Sequence, residues 1–330
     1  MDYYEPPFTI TKEMLSLVSS ISVKIGQIGP IFNVNLKPHL RRNNQIKSIH
    51  SSLKIEANSL TLNQVRDIIN GKTIICPENE IQEVKYAYAA YEKIDEIDPY
   101  DINCLKKFHG IMTKNLIEES GEFRKGEEGV FDGDTCIFMA PPARFVPNLV
   151  NQLFEWMKKS KEDLNPLILG CVFHYEFVFI HPFSDGNGRM ARLWHNAILC
   201  DWNPIFKYIP LESQIEKFQN EYYLSISECN KQGNSTVFIE FMLEQIDKIL
   251  DQTSKEMEGD EGQISSNLRK LIGMMEYNTS YSKTELMSKL NLNSAEGFRR
   301  NYLQPALKMN LIKMTVPEKP NSRNQRYVKL

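Results

Sequence analysis

The chain is poor in paired cysteines, in long apolar runs and in net charge. Its six cysteines, at 76, 104, 136, 171, 200 and 229, are scattered and include no Cys-x-x-Cys pair. Such spacing excludes a zinc ribbon or a disulfide framework and predicts reduced thiols in a cytoplasmic protein. No stretch reaches the roughly 18 uncharged apolar residues of a membrane helix; the nearest, Leu167 to Ile180, is interrupted by His174 and Glu176. No membrane contact is expected. The N-terminus, Met-Asp-Tyr-Tyr-Glu-Pro-Pro-Phe, lacks a basic start and an apolar core, so no secretion signal is predicted. With 16 Gly and 16 Pro in 330 residues, 42% hydrophobic and 25% charged, collagen-like and disordered classes are excluded. The length suits about two domains, each with its own core.

The net charge of −3 hides an asymmetry. Residues 264–330 hold 12 Lys/Arg against 4 Asp/Glu, leaving 27 against 38 for the rest. A basic tail on an acidic body hints at a polyanionic partner for the tail.

Apolar spacing predicts a mainly α chain. Ile46, Ile49, Leu53 and Leu60 place a helix over 44–60, and two more are expected over 81–97 and 104–116. Residues 121–147 hold too many Gly and Pro for a long helix and read as a loop or small hairpin. A helix over 148–157 follows, then Leu167 to Ile180, apolar nearly all round as in a domain centre. Further helices are expected over 186–199, 212–228 and 236–251, with a polar linker over 253–263. In the tail, Ser282-Lys-Thr-Glu285 is a capping-box sequence opening a helix to Leu290. A second helix over 295–303 and a hairpin of 311–316 with 325–330 complete a winged helix-turn-helix layout over 264–330.

The segment His181-Pro-Phe-Ser-Asp-Gly-Asn-Gly-Arg-Met-Ala-Arg192 carries the chemistry. Gly186 and Gly188 can take conformations that curl backbone N–H groups around an anion, where a helix begins. Arg189 and Arg192 are three apart, on one helix face, where both can reach distal phosphates. Asp185 is a hard oxygen ligand suited to Mg²⁺ on phosphate oxygens, and His181 can accept a proton near neutral pH.

This segment resembles the signature of the Fic (Fido) family, His-x-Phe-x-(Asp/Glu)-Gly-Asn-Gly-Arg-x-x-Arg, at all eight specified positions. Gly121-Glu-Phe-Arg124, the prolines before Trp156, and Tyr222-Tyr223 with Asn230 look like the same family. The resemblance implies a helical Fic core over 101–252 with a β-hairpin flap, behind a helical region over 1–100. It implies transfer of AMP from ATP, with Mg²⁺, to a Ser, Thr or Tyr hydroxyl of a target protein, self-modification included. His181 would be the base and Asp185 the metal ligand. Gly186, Asn187 and Gly188 would cradle the phosphates, and Arg189 and Arg192 would grip the β- and γ-phosphates. Ile137, Phe138 and Met139 would align the target by strand pairing, with Tyr222 and Asn230 near adenine.

Ser52 and Glu56, four apart on the 44–60 helix, resemble the family's inhibitory motif of the class II type. Glu56 would occupy Arg192 and turn the α-phosphate of ATP away from attack. Ala57 stands where Gly or Asn is usual. The resemblance permits a homodimer, which no segment demands. Arg299, Arg300, Arg323 and Arg326 are the candidate DNA contacts of the tail. Three further readings stay open: a DNA-associated regulator that only senses nucleotide, transfer of UMP, phosphocholine or phosphate, and removal of AMP.

Overall fold

In the computed structural model the described residues are 4–31, 38–132, 135–263, 266–276, 279–308, 311–320 and 322–329. The chain forms two compact units, one of Met1–Ile25 with Asn44–Leu250 and one of Gly26–Asn43 with Asp251–Leu330.

The chain is mainly helical: α1 (Lys12–Ile31), α2 (Pro38–Ile55), α3 (Leu62–Ile69), α4 (Glu78–Glu92) and α5 (Ile102–Met112) precede a hairpin of β1 (Gly129–Asp132) and β2 (Thr135–Met139). Then come α6 (Val146–Ser160), α7 (Pro166–Ile180), α8 (Asn187–Trp202), α9 (Leu211–Lys217), α10 (Gln219–Gln232) and α11 (Thr236–Gln263). The apolar α7 is buried nearly all round, with Phe179 exposed near its end, as its composition demands. Phe173 meets Phe154 of α6 edge-on, His174 meets His195 of α8, and Tyr175 lies against Phe238 of α11. Asn165 caps its N-terminus from the Leu167 N–H, and Pro182 bars continuation past His181. The N-terminal α1 is zipped onto α11 by Ser20 and Lys24, 2.7 and 2.8 Å from the Asp247 carboxylate.

The observed elements depart from the expected ones in several places. The helix of 44–60 begins at Pro38 and ends at Ile55, so Leu60 is buried from the loop beyond it. The helix of 212–228 is two, broken at Phe218, whose N–H closes on Gln214 and Ile215. The polar stretch 253–263 is helical, the end of α11, because its Lys, Glu, Gln and Met residues are good helix formers. Helices α1 and α3 fall within the expected helical region of 1–100, whose individual helices there the apolar spacing does not outline.

In the smaller unit α12 (Ser266–Met274) is followed by β3 (Ser280–Ser282) and α13 (Lys283–Lys289). A continuous helical run comes next: α14 (Ala295–Phe298), a π-helical turn (Arg299–Leu303) and α15 (Gln304–Lys308). Strands β4 (Ile312–Met314) and β5 (Arg326–Lys329) complete an antiparallel sheet of order β3-β5-β4. Ser282 and Glu285 form the expected capping box. Leu268, Leu271, Tyr281, Leu286, Phe298 and Tyr327 meet in a separate core. Among the described residues no helix is long and apolar enough to cross a membrane.

Candidate active site

The loop between α7 and α8 gathers the motif. His181 ends α7 in the left-handed region, φ 51°, with its N–H on the Phe177 carbonyl. Its Nδ1 lies 3.3 Å from the Val178 carbonyl, which can only accept, so the proton sits on Nδ1 and Nε2 keeps its lone pair. Burial lowers its pKa from the ordinary 6.5, so the ring is neutral at neutral pH.

Gly186 takes φ 80° before α8, whose first turn has no side-chain cap. Its open N–H groups and the helix dipole make an anion seat. Asn187 does not face that seat with its side chain. Its Oδ1 accepts from Phe183 N–H at 2.9 Å and its Nδ2 donates to the Phe183 carbonyl at 2.7 Å. Both ends of the amide are thereby used in closing the loop, which leaves the backbone N–H of Asn187 to the anion seat.

His109 supports the loop from below. Its ring stacks on Phe183 with centroids 3.6 Å apart. Nδ1 accepts from Gly121 N–H at 2.9 Å, which leaves Nε2–H to donate to the Asp185 carbonyl at 3.0 Å. Burial pushes its pKa down to about 4, consistent with a neutral ring that both accepts and donates.

The two arginines are buried and already engaged. Arg189 Nη2 lies 2.7 Å from Asp185 Oδ2, Nη1 lies 3.9 Å from Glu83 Oε1, and Nε has no hydrogen-bond partner among the described residues. Arg192 donates from Nε to Ser52 Oγ at 3.0 Å, and from Nη2 to the Ser52 carbonyl at 2.9 Å and Glu56 Oε1 at 2.7 Å. Burial works against that charge, but the Glu56 carboxylate outweighs it and raises the pKa. Asp185 keeps its side chain 51% exposed. A single exposed carboxylate fits Mg²⁺, which takes few protein ligands and keeps water and phosphate oxygens. Among the described residues no cluster of three or more His, Cys, Asp or Glu competes for a metal.

Helix α2 is held in place by α9 and α10. Ser48 and Ser51 donate to Glu212 and Glu216 at 2.6 Å each, and Lys54 pairs with Glu216 at 2.7 Å. Gln219 and Tyr223 donate to the Ile55 carbonyl, an open acceptor at the helix end. Asn58 donates to Glu83 Oε2 at 2.7 Å, so the turn beyond Glu56 reaches Arg189 through Glu83. Glu83 and Asn58 carry no signal in the local sequence; their role is visible only in the fold.

Tyr222 is 2% exposed, with its hydroxyl 3.0 Å from His174 Nε2, and its ring has no face open to a base. Asn230 lies one layer away, accepting from the Tyr175 hydroxyl at 2.9 Å. Met139 is exposed on β2 and Phe138 lies against Phe179, whereas the side chain of Ile137 lies outside the described residues.

Comparison with known proteins agrees with this geometry. Residues 99–199 match the Fic/DOC family, and residues 266–329 match the C-terminal domain of Fic-like proteins, "Filamentation induced by cAMP protein Fic-like". Protein adenylyltransferase Fic of Nematostella vectensis is 26% identical over 259 residues, 73% of this chain and 56% of the relative. Its counterpart in Drosophila yakuba is 30% identical over 215 residues, 62% of this chain and 40% of the relative. The chain thus spans about half the length of these curated relatives. The crystal structure of a Fic family protein from Desulfovibrio desulfuricans superposes with a TM-score of 0.75 and 39% identity, over 99% of this chain and 98% of the other. The helical core, the loop from His181 to Arg192 and this full-length likeness place the chain in the Fic family.

Proposed function

We propose that this chain is an autoinhibited protein adenylyltransferase that uses ATP. The observation that carries this is the intact set on one loop. His181 has a free Nε2 lone pair beside the uncapped N-terminus of α8, with Asp185, Arg189 and Arg192 around it. The hydroxyl oxygen of the target attacks the α-phosphorus, and the bond from that phosphorus to the bridging oxygen of the β-phosphate breaks. Pyrophosphate leaves, and His181 Nε2 takes the hydroxyl proton. The N–H groups of α8 and the two guanidinium groups stabilise charge on the phosphates, and positioning of this kind dominates such transfers. Asp185 would hold Mg²⁺, which neutralises phosphate charge when bound. The hairpin Gly129–Met139 would align the target by strand pairing.

The brake is Glu56. Its carboxylate occupies the Arg192 guanidinium, which a nucleotide would need for its γ-phosphate. The test compares parent, Glu56→Gly, and Glu56→Gly with His181→Ala, each given Mg²⁺ with ATP labelled at the α- or γ-phosphate. Protein-bound α-label that appears in the single variant and vanishes in the double supports the reading. Equal α-labelling of parent and Glu56→Gly overturns the brake, and His181-dependent γ-label moves the activity to phosphate transfer.

One observation favours a second role for the smaller unit, read as a winged helix-turn-helix. The helical run from Ala295 to Lys308 exposes Arg299, Arg300, Asn301, Gln304 and Lys308, and the β4–β5 hairpin exposes Lys313, Lys319 and Arg323. Arg, Asn and Gln are the side chains that pair bidentately with purine edges. Arg326 does not belong to this set: it is tied to Ser280 and to Glu285 at 2.9 Å, a correction to the expected contact. Anisotropy of a labelled duplex should show affinity falling steeply with salt and lost in Arg300→Ala. Salt-independent or absent binding leaves protein docking as the role of this unit.

A further inference from the structure

One buried cation near the loop is not used by this mechanism. Arg124 is 3% exposed, and in the described residues all its hydrogen-bond acceptors are carbonyl oxygens, with the Glu127 and Glu128 carboxylates acting on its charge from further off. Its Nε donates to the His181 carbonyl at 2.6 Å, and its Nη2 reaches the Ile180 carbonyl at 3.4 Å. Its backbone N–H donates to the Pro182 carbonyl at 2.9 Å. On the other side Nη1 donates to the Gly126 carbonyl at 2.8 Å and Nη2 to the Pro141 carbonyl.

These carbonyls belong to two places. Those of Ile180 and His181 are open acceptors at the C-terminus of α7, where the helix dipole favours a cation. Gly126 precedes β1 and Pro141 follows β2, so their carbonyls flank the base of the hairpin on both sides. Register at that base is set by Gly129 opposite Met139, with the Ala140 N–H donating to the Glu128 carbonyl at 3.0 Å. One planar guanidinium therefore spans the base of the hairpin and the backbone of His181. A lysine ammonium has three donors on a flexible stem and cannot hold this fork.

We propose that Arg124 is a positioning residue that couples the hairpin to His181, so that a hydroxyl strand docked on the hairpin is registered against the base. This inference rests on the reading of the loop as a transfer site and of the hairpin as its target-binding edge. Without the fork, the hairpin and the His181 peptide would move separately. Transfer would fall because base and hydroxyl lose their alignment, while each element keeps its own fold.

The test uses the whole chain in the Glu56→Gly background with Arg124 intact, Arg124→Lys or Arg124→Gln. Hydrogen exchange is followed in peptides covering 126–141 and 178–183. In both variants these two regions should exchange about tenfold faster or more, with α6 and α8 unchanged. If either region keeps the exchange of the intact protein, the coupling is overturned. Loss of protection across α6 to α8 as well would make Arg124 a determinant of the whole fold and also overturn it.

Self-labelling from α-labelled ATP, followed against pH, gives a second readout that general loosening would not produce. Burial is the main cause of the lowered pKa of His181, the Arg124 charge adds to it, and Glu128 and Glu56 oppose it. Arg124→Gln should therefore move the acid limb of the profile to higher pH. Arg124→Lys should leave the limb in place and lower the plateau about tenfold or more. A plateau equal to that of the intact protein overturns the inference. If the protein with Arg124 intact takes up no α-label, the transfer reading fails, and hydrogen exchange still decides whether Arg124 couples the two elements.

Discussion

A Cβ on Gly188 would stand 2.2 Å from Glu56 Oε1, the oxygen that accepts from Arg192 Nη2 at 2.7 Å. The first turn of α8 thus leaves room for the Glu56 carboxylate only because residue 188 has no side chain. The carboxylate is the end of a flexible chain and is 39% exposed, so it moves before the backbone does. Gly188→Ala should expel Glu56 from Arg192. The lost charged hydrogen bond costs about 1.5–3 kcal/mol, partly offset by about 0.5–1 kcal/mol from alanine in a helix. Self-labelling should rise above the parent but stay below Glu56→Gly, because the same Cβ also stands 3.1 Å from Arg192 Nη1, and adding Glu56→Gly should bring no further rise. Labelling rates of parent, both single variants and the double variant check this. A double variant at the product of the single effects would mean that the two residues act separately.

The turn that carries Glu56 is a strained helix end. The Ala57 N–H donates to the Lys54 carbonyl at 3.0 Å and the Asn58 N–H to the Leu53 carbonyl at 3.1 Å. These are the paired bonds of a Schellman end, with Ala57 at φ 65° in the position glycine usually takes. A Cβ there costs about 1–2 kcal/mol, and glycine returns part of that gain through its freer unfolded chain. Ala57→Gly should raise stability by about 1 kcal/mol, or roughly 2 °C in the unfolding midpoint. Ala57→Val should lower the midpoint by at least as much. Calorimetry of the three proteins decides; a glycine variant melting at or below the parent would show that the strain is already relieved.

The same turn shows where the sequence stops being legible. The spacing of Ile46, Ile49 and Leu53 fixes the buried face of α2, but nothing periodic tells that the helix ends at Ile55. Only the left-handed Ala57, an unusual choice, marks it. The loop from His181 to Arg192 is legible because Pro182, Gly186 and Gly188 dictate local backbone, and local backbone is what sequence encodes best. The side chain of Asn187 belongs to the same local encoding, since it closes the loop on Phe183, four residues back. Glu83 and Asn58 reach the site from other elements, and such long-range contacts have no period to betray them, whereas Arg124 is marked only by the resemblance of Gly121-Glu-Phe-Arg124 to the family. The fate of 253–263 turned on propensity rather than polarity, since charged residues extend a helix as readily as they make a linker.

Gly170 gives a contrast with Gly188. A Cβ there would lie 2.8 Å from His195 Cδ2 and 3.0 Å from Nε2. That ring cannot swing away, because its Nδ1 lies 3.1 Å from His174 Nδ1 in the centre of the core. Burial pushes the pKa of His195 down to about 3, so both rings are neutral and share one proton between their Nδ1 atoms. Gly170→Ala should therefore overpack the α7–α8 contact and cost about 1–3 kcal/mol. Urea unfolding should show a lower midpoint for Gly170→Ala, and a midpoint equal to the parent's would mean that the His195 ring yields as easily as a surface carboxylate.

Glu176 gives the pH dependence its clearest handle. It is 3% exposed on α7, with the Tyr4 hydroxyl donating to Oε2 at 2.6 Å. Burial pushes its carboxyl up to about 7, against the pull of the Tyr4 hydrogen bond. The folded chain therefore keeps a proton that the unfolded chain gives up near pH 4.5. Below that pH both states are protonated and the group contributes nothing. Between there and about pH 7 the unfolded state binds fewer protons, so stability falls as pH rises. Above that window the penalty is constant at about 3 kcal/mol, at 1.36 kcal/mol per unit. Glu176→Gln keeps an acceptor for Tyr4 and has no proton to lose, so it should match the parent near pH 4 and exceed it by about 2–3 kcal/mol at pH 8. Urea unfolding of both proteins across this range measures the difference directly. Parallel curves would mean that Glu176 is charged in the folded chain at neutral pH, which in so dry a place requires a cation that its hydrogen bond to Tyr4 does not supply.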